Sequence, residues 1–91
     1  MSEKFRVSDH AQEEMIRRDV SSAVLAQVMT RPEQIIDAHS RRKIYQSRIK
    51  INGKLYLVRV IVDVDDVPRV ITVYRTSKIE KYWSENHESD L

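Results

Sequence analysis

Lys43–Asp63, KIYQSRIKINGKLYLVRVIVD, is the stretch that decides the fold. Two runs rich in β-branched and aromatic residues flank Asn52-Gly53, the dipeptide that supplies both left-handed residues of a type I′ hairpin turn. Gly53 is the only glycine of the chain. A two-residue turn fixes the register, so Ile49 faces Tyr56, Ser47 faces Val58, Tyr45 faces Val60 and Lys43 faces Val62. That face is apolar enough to hold a core. The other face pairs Lys50 with Leu55, Arg48 with Leu57, Gln46 with Arg59 and Ile44 with Ile61, which leaves room for a polar ligand.

Upstream of the hairpin, Phe5 and Val7 alternate with Arg6 and could form a short strand. Ser8 or Asp9 caps a helix reaching about Arg18, with Asp9 and Gln12 at capping-box spacing and Ala11, Met15 and Ile16 as its apolar stripe. Val20-Ser21 reads as the staple and cap of a second helix over Ser22–Thr30, in which Leu25 meets Val20 and the buried stripe is Val24, Leu25, Val28 and Met29. Pro32 ends it. A short strand over Gln34–Ala38 then leads through Arg41-Arg42-Lys43 into the hairpin. Downstream, the DVDDVP turn precedes a last strand over Arg69–Arg75; if Ile71 and Val73 continue the apolar face, Thr72 and Tyr74 fall beside Gln46 and Arg59, and the opposite assignment inverts them. Lys78–Trp83 makes a final helical turn whose Ile79 and Trp83, at i and i+4, are expected to close an edge of the core against the helices. The expected class is α+β: two N-terminal helices packed on a curved, mostly antiparallel four-stranded sheet, with a short C-terminal helical turn. The chain reads as one domain over residues 1–83 followed by a flexible acidic tail over 84–91.

Charge refines this reading. Lys and Arg total 16 against 14 Asp and Glu, but residues 84–91 hold three acids and no base, so the folded part is mildly basic. Such a surface tolerates a nucleic-acid partner without requiring one. The absence of cysteine excludes disulfides and thiolate metal sites. No run resembles a signal peptide or a membrane span, so the expected location is cytoplasmic. A lone glycine cannot build a phosphate-binding loop or a dinucleotide fingerprint. Asp63-Val64-Asp65-Asp66 opens like a calcium loop, yet Pro68 and Tyr74 stand where that loop needs Gly and Glu, so an Asp-rich turn is the better reading. The histidines follow no metal-ligand spacing, and neither metal nor cofactor is expected.

What remains is a sheet face carrying Gln46, Arg48 and Arg59, joined by Tyr74 from the last strand. Guanidinium groups hold phosphate in bidentate geometry, and tyrosine stacks on a base or donates a proton; such a set suits RNA. The bland alternative pairs Arg59 with Asp63 or Glu33 and leaves Tyr74 a half-buried sheet residue with its hydroxyl in water.

The pattern His10-Ala11-x-x-Glu14-Met15-x-x-Arg18-x-Val20, then Arg31-Pro32-Glu33, the Gly53 hairpin, and Val70-Ile71-Thr72-Val73-Tyr74-Arg75 resembles a family of small bacterial domains of unknown function. That family looks like a branch of the RelE/ParE toxin superfamily, near the BrnT-type toxins. The resemblance implies a RelE-like fold and a metal-independent endoribonuclease or RNA-binding domain of a toxin-antitoxin system. Its ligand would be RNA or the ribosome, an antitoxin protein would hold it in check, and a homodimer is compatible with it. Carried over by position, Arg59, Tyr74, Arg75 and His10 become the catalytic candidates, and Gln46, Arg48, Arg18 and Lys78 the RNA-binding ones. Glu14 stands where many members have arginine, which lowers the positive charge beside His10. The competing reading is a non-catalytic protein-interaction module on the same fold.

Overall fold

The structure, a computed structural model, describes residues 4–84. The chain runs β1 (Arg6–Val7), α1 (Asp9–Arg17), α2 (Ser22–Thr30), β2 (Gln34–Asp37), β3 (Arg42–Ile51), β4 (Lys54–Asp63), β5 (Arg69–Thr76) and α3 (Ile79–Tyr82). The hairpin forms as the turn chemistry requires. Asn52 and Gly53 both have positive φ, 52° and 82°, and the β3–β4 register matches Ile49 with Tyr56 and Gln46 with Arg59. The caps also follow from sequence: Ser8 and Ser21 side chains accept the backbone N–H groups of Ala11 and Val24.

The expected four-stranded sheet is corrected to a five-stranded mixed one, ordered β1-β5-β4-β3-β2. The added strand is β1, which runs parallel to β5, Arg6 beside Arg69 and Val7 beside Val70. Arg6 N–H donates to Pro68 O and Ser8 N–H to Val70 O, so these two residues pair with the start of the outer edge of β5, at Arg69 and Val70. The picture of two helices against one sheet changes as well. Helices α1 and α2 pack on one face, over a core of Ala11, Met15, Leu25, Val28, Val58, Val60, Val62, Val70 and Val73. α3, with Trp83 and Ser84, lies on the other face, because Gln46, whose neighbours Tyr45 and Ser47 point to the helices, reaches the carbonyl of Tyr82 with its side chain.

Three expectations about individual residues fail with it. Ile79 and Trp83 do not close the helix-side core; the Trp83 ring lies under the Arg48 guanidinium, 4.2 Å from centroid to Cζ. Ile16 is 83% exposed and outside the core, since Glu14 takes the buried place beside Ala11 and Met15. Ile71 does not continue the apolar face, because the β4–β5 register slips between Ile61 and Val62, leaving Ile71 as the extra residue of a bulge and putting Val70 in the core. Ser84, read as the start of a free tail, is bonded to Gln34; the rest of that tail lies outside the described residues. No helix among the described residues is long and apolar enough to cross a membrane.

Candidate functional site

One position on each of four adjacent strands falls in a single row. Gln34 of β2 stands opposite Gln46 of β3, Gln46 opposite Arg59 of β4, and Arg59 opposite Tyr74 of β5. Side chains one step apart across a sheet are within direct reach, and here they bond in sequence. Gln46 Nε2 donates to Gln34 Oε1 at 2.7 Å, Arg59 Nε to Gln46 Oε1 at 2.9 Å, and Arg59 Nη1 to Tyr74 Oη at 2.6 Å. The chain of bonds fixes polarity. Both lone-pair groups are turned toward Arg59, so the Tyr74 hydroxyl proton is left free to donate elsewhere.

Arg59 is half-buried and has no carboxylate within ion-pair distance among the described residues. The two acids that could have neutralised it are engaged elsewhere, Asp63 with Arg42 at 2.9 Å and Glu33 with Arg48 at 3.0 Å. Aromatic rings surround it instead: the Tyr82 centroid is 4.5 Å and the Tyr74 centroid 5.7 Å from its Cζ, and the two rings meet edge to face. Arg18 approaches Tyr74 from the end of α1, its Cζ 5.9 Å from the ring centroid, while its Nε is held by Glu14 at 2.5 Å.

The structure thus brings Arg59, Tyr74, Gln46 and Arg18 together and separates the other candidates. Gln46 is wholly buried, so it orients Arg59 and cannot itself touch an RNA. Arg75 points to the helix side, over the Tyr56 ring at 4.4 Å and 3.9 Å from Asp19. His10 sits in the first turn of α1, its Nε2 3.9 Å from Glu14 Oε2. Arg48 lies on the Arg59 face but is bonded to both oxygens of Glu33, and its hydrogen bond is the first cause of the lowered pKa of that carboxyl, against the opposing effect of burial. Lys78 is exposed at the start of α3. Among the described residues no three His, Asp or Glu side chains cluster as a metal site would require.

Two members of the cluster escape a reading of the sequence alone. Gln34 reads only as the first residue of a short strand, and it is the β2–β3 register that sets it against Gln46. Tyr82 sits in a turn whose docking face the i, i+4 rule misjudged.

The chain belongs to the family described as Domain of unknown function (DUF4258), whose profile spans residues 7–75, from β1 to the end of the site strand. No curated protein and no solved structure matches it.

Proposed function

We propose that this domain binds RNA through the Arg59–Tyr74 face, as a toxin-type RNA-binding or RNA-cleaving domain. One observation carries the reading: a half-buried guanidinium, oriented by Gln46 and Tyr74, that has no carboxylate partner among the described residues. Withdrawing a cation from water is costly unless an anion meets it, and a phosphodiester oxygen meets both Arg59 and the free Tyr74 proton. The neighbouring ring of Tyr74 suits the stacking that single-stranded RNA prefers. The His10–Val20 and Val70–Arg75 segments resemble a family of small domains of unknown function that itself looks like a branch of the RelE/ParE toxins, which supports the same reading, with an antitoxin protein as natural counterpart and free or ribosomal RNA as ligand. In the cleaving form, an RNA 2′-hydroxyl gives up its proton to solvent water as its oxygen bonds the adjacent phosphorus, and the P–O5′ bond breaks as Tyr74 hands its proton to the departing 5′-oxygen; Tyr74 regains a proton from water, and the products are a 2′,3′-cyclic phosphate and a 5′-hydroxyl.

The test is anisotropy of a labelled single-stranded RNA over a salt series. Arg59→Ala should weaken binding and flatten the plot of log affinity against log salt by about 0.7, the counterions released by one single-strand phosphate. Cleavage, if present, should survive EDTA, and Tyr74→Phe should then lower its rate more than it lowers affinity. A domain with no RNA affinity at low salt and no effect on growth when expressed leaves the interaction-module reading in its place.

A further inference from the structure

The segment Lys78–Ser84 is fastened across the polar row more firmly than a surface turn needs. Two glutamine side chains hold its backbone at three points. Ser84 N–H donates to Gln34 Oε1 at 3.1 Å, Gln34 Nε2 to Ser84 O at 2.9 Å, and Gln46 Nε2 to Tyr82 O at 3.2 Å. Two of its rings lie against guanidinium groups, Tyr82 on Arg59 at 4.5 Å and Trp83 on Arg48 at 4.2 Å. The helical part is only four residues long and has no side-chain cap, so it cannot persist by itself once off the sheet. The contacts are therefore gained or lost together. What they cover is the site: the Tyr82 ring lies over the Arg59 guanidinium, and the Tyr82 carbonyl accepts a hydrogen bond from the side-chain amide of Gln46, the residue that orients Arg59.

We propose that Lys78–Ser84 is an autoinhibitory strap that must lift from the Gln34–Gln46–Arg59–Tyr74 row before RNA can engage Arg59 fully. The proposal rests on the RNA reading above and adds its regulation. A ligand that binds only the open form has its affinity reduced by the fraction of molecules that are open. Any partner or change that frees the strap then raises affinity without altering a contact to RNA.

Trp83 is the only tryptophan, so its fluorescence reports the strap alone. In the full chain, saturating a uridine oligonucleotide should make Trp83 more accessible to acrylamide. Gln34→Ala removes two strap bonds and should both raise quenching without RNA and tighten binding roughly tenfold, as the open fraction rises toward one. Should that variant not fold, Ser84→Pro deletes a single donor while keeping every side chain of the row. Trp83, extended at φ −70° and ψ 129°, already has the backbone that a residue before proline requires. The expected effect of Ser84→Pro is a smaller change of the same sign. RNA that shields Trp83 from acrylamide, or variants that bind no more tightly, overturns the strap while Arg59-dependent binding keeps the RNA reading. No binding by the parent chain or by either variant overturns both.

Discussion

At the scale of single residues, the row works because each buried polar atom has a partner. Gln46 is fully buried and makes three bonds, donating to Gln34 and Tyr82 and accepting from Arg59. Leucine has nearly its volume and none of its polar atoms, so Gln46→Leu strands the Arg59 Nε–H. We expect a loss of about 2 kcal/mol in urea unfolding, set by desolvation of the orphaned donor and not by packing. A neutral result would mean that water takes the place of the amide. Glu33 is the other residue with a defined energetic signature. Its carboxylate accepts from the Arg48 side chain and backbone, which lowers its pKa from the ordinary 4.5 while partial burial opposes the shift. A group with a depressed folded pKa contributes its full stability above the unfolded pKa and loses it as pH falls through the folded one. Glu33→Gln should thus be less stable than the parent at neutral pH by a few tenths to about 1 kcal/mol, solvent screening limiting the gain. The gap should close as the solution is taken below pH 4.5, in a pH series of urea midpoints. A gap that widens in acid would contradict the linkage.

At the scale of elements, legibility followed the strength of local chemistry. Asn52-Gly53 dictates a unique turn, so the whole β3–β4 register and the pairing of Gln46 with Arg59 are readable in the sequence. A Cβ on Gly53 would touch nothing within 4 Å, but φ is 82°, so substitution is penalised by backbone strain alone. Gly53→Val should cost roughly 1–3 kcal/mol in thermal or urea unfolding; an unchanged midpoint would mean the turn can change type without disturbing the register. The rest of the sheet had no comparable signal. Two residues of β1 carry no periodicity, and their partner β5 is distant in the chain. The bulge at Ile71 depends on how β5 meets α1 and β1, which alternation cannot reveal. Ile79 and Trp83 obey helical spacing, yet spacing says which residues share a side and not which layer that side meets. For the site, Arg59 and Tyr74 were legible as strand residues of one face. Arg75 was assigned to the same site although strand alternation sends it to the opposite face from Tyr74. Gln34 and Tyr82 were not legible, since both enter through tertiary register.

At the scale of the whole molecule, the sheet has two unlike faces. The helix face is dry and aliphatic, and residues such as Val58, Val60 and Val73 are wholly buried there. The strap face is a layer of amides, guanidinium groups and rings, with Leu57, among the described residues, the one fully buried aliphatic residue outside the main cluster. Apolar burial scales with the area removed from water, whereas hydrogen bonds and cation–π contacts near a surface exchange against water for small net gains. The two layers should therefore open at different free energies, with the strap as a separate low-stability unit. In a urea titration of the full chain, Trp83 fluorescence should change at a lower midpoint and with a shallower slope than far-UV circular dichroism, because little surface is exposed when the strap lifts. Amide exchange should agree: the Trp83 and Ser84 N–H groups should exchange by local opening, insensitive to low urea, while those of Val58 and Val60 wait for global unfolding. Coincident transitions with equal slopes would instead make the strap an integral part of the cooperative core, held as tightly as the helices.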